Sequence, residues 1–261
     1  MDTESISLWL LGLTVVLAFG ITLAVLCARP SMVLRRPGVK LVKCEELPGT
    51  LEKLFAPADR MLRGLGFAPA FCTLETELAV RAEGECWKRV YAHPRERAYA
   101  AVAAAEATAA PGCEITFATV YADGTLLLTV NGRRHRILGG EVPRAVLTDA
   151  YAYSVKGQYQ AHRAEALDSD QISERVAPSP AVYKSRLQLA YDTYIDVLLE
   201  DGWIRPYGED DYAVRRKHAK RFKRGLKQGE RRCEKARVNA DLAPGPDRKG
   251  ARGIGPIRRV A

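Results

Sequence analysis

The chain has 261 residues, of which 47% are hydrophobic and 27% charged, and its net charge is +9. That length leaves roughly 180 residues for a core once an apolar N-terminal stretch and a basic tail are set aside, so it holds one ordinary domain or two small ones. Six cysteines (27, 44, 72, 86, 113 and 233) are scattered with no CxxC pair. That spacing gives no metal or redox motif, and the thiols are read as buried or incidental; with the cytoplasmic placement argued below, disulfides are not expected.

The positive charge is unevenly distributed. Residues 213–261 hold 17 Lys and Arg against 4 Asp and Glu, which leaves 23 against 27 in the remainder. A mildly acidic body therefore carries a strongly basic tail, and this split bears on partners more than the total does.

From Ser5 to Ala28 the chain runs 24 residues without a charge. As a helix this stretch would measure ~36 Å, enough for a ~30 Å hydrocarbon core. Asp2 and Glu4 precede it, and Arg29, Arg35, Arg36, Lys40 and Lys43 follow. This asymmetry predicts a single-pass transmembrane anchor in the cell (inner or plasma) membrane, with the N-terminus outside and residues 29–261 cytoplasmic. A cleaved signal peptide needs a basic n-region and a shorter apolar core, and neither is present. Gly12, Val16, Gly20 and Ala24 recur at four-residue spacing, which allows a homodimer through this helix.

Residues 29–48 read as a juxtamembrane connector because Pro30, Pro37 and Pro48 disfavour a long helix, with a short strand over VKLVK at 39–43. Thr50 to Gly66 reads as a helix with Leu51, Leu54, Phe55, Met61, Leu62 and Leu65 on its apolar face. Thr50 is its expected N-cap, Pro57 its expected kink and Gly66 its stop.

A strand-rich block follows at 71–80, 87–92, 99–105, 114–121, 125–130 and 133–138. Phe71, Thr73, Glu75 and Glu77 share one side of the first strand. Asp123-Gly124 and Asn131-Gly132 are hairpin signals, so an antiparallel meander is expected, with Arg133, Arg134, His135 and Arg136 on an exposed edge strand. Residues 142–167 and 181–201 read as helices, the second ended by Gly202, and residues 203–214 as a small hairpin turning at Gly208. The predicted fold is α+β: an N-terminal transmembrane helix, then an antiparallel β-meander with helices packed on one sheet face, then a basic helical and disordered tail. The expected divisions are 1–28 (anchor), 29–48 (connector), 49–212 (cytoplasmic domain) and 213–261 (tail).

No catalytic chemistry stands out. There is no phosphate loop, no dinucleotide fingerprint and no GxSxG. His93, His135, His162 and His218 have no second ligand at metal spacing. Cys86 and His93 are read as parts of a polar turn rather than a nucleophilic pair, and the tyrosines at 151, 153, 159, 183, 191 and 194 as core packing. No enzyme activity, cofactor or metal is therefore expected.

The stretches LRGLGF (62–67), VYAHP (90–94), TFATVYADGTLL (116–127) and AHRAEAL (161–167), behind an N-terminal span, resemble bacterial single-pass membrane proteins to which no activity is attached. The stretches ISERVAPSPAVYKSRL (172–187) and LLEDGWI (198–204), with a hairpin containing Tyr212, resemble a winged-helix unit. That resemblance implies a recognition helix in a DNA major groove.

The expected function is a membrane-anchored interaction or scaffold domain. Its polybasic segment, Arg215, Arg216, Lys217, Lys220, Arg221, Lys223, Arg224 and Lys227, would bind anionic lipid or an acidic protein partner. The alternative is a membrane-tethered nucleic-acid-binding regulator.

Overall fold

The computed structural model describes residues 14, 16, 17, 19, 20, 30, 32–76, 85–103, 114–130, 142–150, 152, 154–221 and 224. Its core is a seven-stranded sheet. In chain order the strands are β1 (Val33–Arg35), β2 (Gly38–Val42), β3 (Ala68–Thr76), β4 (Glu85–His93), β5 (Ala98–Ala103), β6 (Glu114–Val120), β7 (Leu126–Val130), β8 (Ala145–Asp149), β9 (Ile204–Pro206) and β10 (Asp211–Val214). Strands β2 to β8 lie side by side in sequence order, and β1, β10 and β9 form a separate three-stranded sheet. Among the described residues, the α-helices between these strands are α1 (Gly49–Gly64), α2 (Val155–Asp170) and α3 (Pro180–Glu200).

The β5 strand, AYAAVA, is buried at every position because helices cover both of its faces. Ala98, Ala100 and Val102 meet α1 and α2 through Phe55, Leu62 and Tyr159. Tyr99 and Ala101 meet α3 through Tyr183 and Leu187 on the opposite face. The helices were expected on one face; the period-2 alternation of apolar residues on both sides of β5 and β6 requires cover on both.

Local chemistry explains the helix ends. Ser154 caps α2 by accepting the Gly157 N–H, and Ser179 caps α3 by accepting the Val182 N–H, with Pro180 in the first turn. Tyr99 fixes the second cap to the sheet: its hydroxyl accepts the Ser179 N–H at 2.8 Å and donates to the Ser179 carbonyl at 3.1 Å. At the end of α1, Gly66 N–H bonds the Arg63 carbonyl and Phe67 N–H bonds that of Leu62. Gly202 and Trp203 repeat this arrangement on Leu199 and Leu198. Both glycines have positive φ, which this left-handed helix stop requires.

Several expectations are corrected. Among the described residues no helix is long and apolar enough to cross a membrane. Within the uncharged stretch only Thr14, Val16, Leu17, Phe19 and Gly20 are described; they are helical and exposed, and the rest of it lies outside the described residues. An uncharged run supports a span only as one continuous helix of roughly 20 residues. The predicted transmembrane helix, the single-pass membrane assignment and the orientation with residues 29–261 cytoplasmic are overturned on that finding.

Thr50 does not cap α1, which starts one residue earlier behind Pro48, and α1 continues through Pro57. Residues 145–149, expected in a helix, form β8, paired in parallel with β7 from Leu126↔Ala145 to Val130↔Asp149. The β-branched pair Val146 and Thr148 suits this pairing, and tertiary context overrides the helical spacing. The antiparallel meander therefore ends at β7. The predicted strand at 133–138, with Arg133, Arg134, His135 and Arg136, lies outside the described residues. Cys44 and Cys72 form a disulfide with Cα atoms 5.3 Å apart, where none was expected. The expectation rested on the cytoplasmic placement, and the scattered spacing did not indicate the pair, because β2–β3 pairing brings residues 28 apart together.

Candidate functional site

The basic segment begins on the small sheet. Strand β10 pairs with β1 and β9, and the chain then turns at Arg215 into helical residues 216–221. Arg215 N–H bonds the Trp203 carbonyl at 2.9 Å, so the start of this helix is tied to the chain just before β9. Ala219 is buried in a cluster with Met32, Leu34, Ile195, Leu198, Trp203, Ile204 and Val214. The His218 ring stacks on Trp203 at 4.2 Å between centroids, and the Arg221 guanidinium lies 5.0 Å from the centre of the same indole. Trp203 thus anchors the segment by stacking and a cation–π contact. Burial, and then the charges of Lys217, Arg221 and Arg215, hold the His218 imidazole below its ordinary pKa.

Arg215, Arg216, Lys217, Lys220, Arg221 and Arg224 are exposed. None of the six has a carboxylate partner among the described residues. Lys223 and Lys227, predicted with them, lie outside the described residues. Some basic groups elsewhere are compensated, among them Arg36, Lys88, Arg89, Arg163 and Arg175. Arg89 pairs with Asp59, which also accepts a hydrogen bond from Tyr91. Arg175 makes two bonds of 2.7 and 2.6 Å to Asp170 and also reaches Glu96, which Arg163 contacts from α2.

Glu75 and His162, both noted from the sequence, are buried polar groups whose partners the sequence did not indicate. Glu75 is fully buried beneath α3 and receives Lys88 Nζ at 2.7 Å, Thr73 Oγ1 at 3.1 Å and the Tyr191 hydroxyl at 3.4 Å. Its place beside Phe71 and Thr73 on one side of the strand was the available signal. These three donors satisfy the buried carboxylate. Burial, and then the charge of Glu75, raise the Tyr183 phenol well above its ordinary pKa.

His162 sits between Thr119 Oγ1, 2.9 Å from Nε2, and Thr129 Oγ1, 2.8 Å from Nδ1. Burial, with a smaller effect from Arg175, pushes its pKa down to about 3. It serves packing as a neutral ring.

The other singled-out residues separate. Cys86 and His93 stand seven residues apart on β4, about 23 Å at ~3.3 Å per residue. His93 Nδ1 instead accepts the Glu96 N–H within the β4–β5 turn. Tyr159 and Tyr183 are buried in the two main cores, and Tyr151 and Tyr153 lie outside the described residues. Among the described residues, no group of three His, Cys, Asp or Glu side chains is placed to hold a metal ion.

The helix resembling a recognition helix, α3, buries Tyr183, Leu187, Ile195 and Leu198. Its more accessible positions include Lys184, Asp196 and Glu200, while Asp192 pairs with Arg36. The three-stranded sheet beside it has the order β1-β10-β9.

Compared with protein-family models, curated proteins and solved structures, the chain has no match.

Proposed function

We propose that this chain is an interaction module whose basic C-terminal segment binds an acidic protein partner. The observation that carries this reading is the helical start of the segment, docked on Trp203, with Arg215, Arg216, Lys217, Lys220, Arg221 and Arg224 exposed and no carboxylate partner among the described residues. A docked start holds several cations in a fixed relation to the domain. This lowers the ordering cost of binding relative to a free tail. The body bearing the segment is itself net acidic, with 23 basic against 27 acidic residues outside 213–261. The outer side of α3 adds Asp196 and Glu200. A uniformly charged duplex lying along the molecule would meet repulsion there, whereas a protein with a local acidic patch would not.

The test uses the full chain and a variant with these six residues changed to Gln. Fluorescence anisotropy measures binding to labelled poly-L-glutamate and to a 20-base-pair duplex over a salt series. Binding to polyglutamate that weakens with salt and is lost in the variant, at an unchanged thermal midpoint, supports the reading. Equal binding by the variant overturns it. Tighter binding to the duplex transfers the segment to nucleic acid.

A further inference from the structure

The edge of the large sheet beside α3 has a distinct chemistry. β2 is its outermost strand on that side. The Val39 N–H does not bond β3; it points outward and donates to Gln188 Oε1 of α3 at 3.0 Å. Gln188 Nε2 in turn donates to the Pro37 carbonyl at 3.3 Å. The side-chain amide thus accepts from one residue and donates to the residue two before it, the pattern one residue of a parallel neighbouring strand would make. Gln188 stands in for a strand.

Two residues further along β2, Leu41 directs its own N–H and carbonyl to the same outer side, since these groups alternate along a strand. The groove there is lined by Leu41, Ala181, Lys184, Ser185, Gln188, Leu189 and Asp192, whose carboxylate is taken up by Arg36 and by Gln188 Nε2. Leu41 is 39% and Leu189 48% exposed, which leaves an apolar floor open beside backbone groups that bond no partner among the described residues. Lys40 projects from the other face of β2, Lys184 rims the groove and Lys43 follows the strand. All three are exposed and without an ion-pair partner among the described residues.

We infer that the β2 edge is a docking site for an extended polypeptide segment in which apolar and acidic residues alternate. A strand added outside β2 presents successive side chains to opposite faces. On the α3 face they meet Leu41 and Leu189, which favours apolar residues. On the other face they meet Lys40, which favours Asp or Glu. Gln188 is the placeholder that such a strand displaces. A second copy of this chain fits poorly, because residues 38–43 carry two lysines and no carboxylate, and edge-to-edge pairing would bring like charges together. This site is separate from the basic tail and does not depend on its reading.

The test measures anisotropy of two labelled peptides of identical composition, one alternating Val and Glu and one with the Val and Glu residues in separate blocks. It uses the full chain carrying the six tail substitutions to Gln; the eleven Lys and Arg left in 213–261 meet two peptides of equal charge, so the difference between the peptides reads the β2 edge. The alternating peptide is expected to bind at least about tenfold more tightly than the block peptide. Leu41→Pro removes an N–H that the sheet itself does not use, and it should abolish that preference; Leu189→Asp, a milder surface change, should do the same if Leu41→Pro fails to fold. Equal binding of the two peptides, or a preference retained in the folded variant, overturns the inference.

Discussion

The imidazole of His162 makes acid sensitivity of the fold a quantitative matter. The ring is 1% exposed and held between two threonine hydroxyls, and its pKa is pushed from 6.5 down to about 3. The folded state therefore keeps the ring neutral at pH values where the unfolded chain protonates it. Because the folded pKa is depressed, stability is full above pH 6.5. It falls as pH drops from 6.5 towards 3 and levels off below that. Each pH unit in this window costs about 1.4 kcal/mol. Between pH 7 and pH 5 the loss from this one group is about 2 kcal/mol, and that figure hardly depends on the folded pKa provided it lies below about 4. The assay is urea denaturation of the wild type and of His162→Gln at both pH values. Carboxylates common to both proteins cancel in the comparison. The stability of wild type relative to the variant should fall by about 2 kcal/mol on going to pH 5. An unchanged difference would refute the assignment of a buried neutral ring.

Three further outcomes are expected. Replacing Cys44 and Cys72 together by Ser, or reducing them, opens a loop of 28 residues and should cost about 3.5 kcal/mol by the chain-entropy relation, read from denaturation midpoints with and without reductant. Gly66→Ala places a Cβ 2.7 Å from His93 Nε2 at φ +90°, whereas Gly208→Ala at φ +88° meets nothing within 4 Å. The first should cost about 1–3 kcal/mol and the second no more than about 1, so equal shifts in thermal midpoint would contradict the packing at the α1 stop. Lys88→Met leaves the Glu75 carboxylate buried without its cation and should destabilise the fold by about 3–5 kcal/mol, and adding Glu75→Gln should recover part of that. A double variant no more stable than the single one would show that the pair is not the source of the loss.

What the residues settled alone was local. Glycine at the left-handed helix stops fixed the ends of α1 and α3, and Asp123-Gly124 fixed the β6–β7 hairpin, because those backbone conformations exclude most other residues. Alternation identified β3 to β7 and their type, and the charge of 213–261 needed only counting. Tertiary structure decided matters that depend on distant partners. Residues 145–149 became a strand because β7 offered a free edge, although their apolar spacing also fits a helix. Cys44 met Cys72, and Glu75 met Lys88, through strand register that no local pattern encodes. The cations of the basic segment were visible as composition, but their docking on Trp203 was not, since stacking of His218 and Arg221 on one indole requires β9, β10 and the following helix to be placed together. The uncharged N-terminal run shows the same division: hydropathy counts residues, while crossing a bilayer requires a continuous helix, and among the described residues no helix has that length and character.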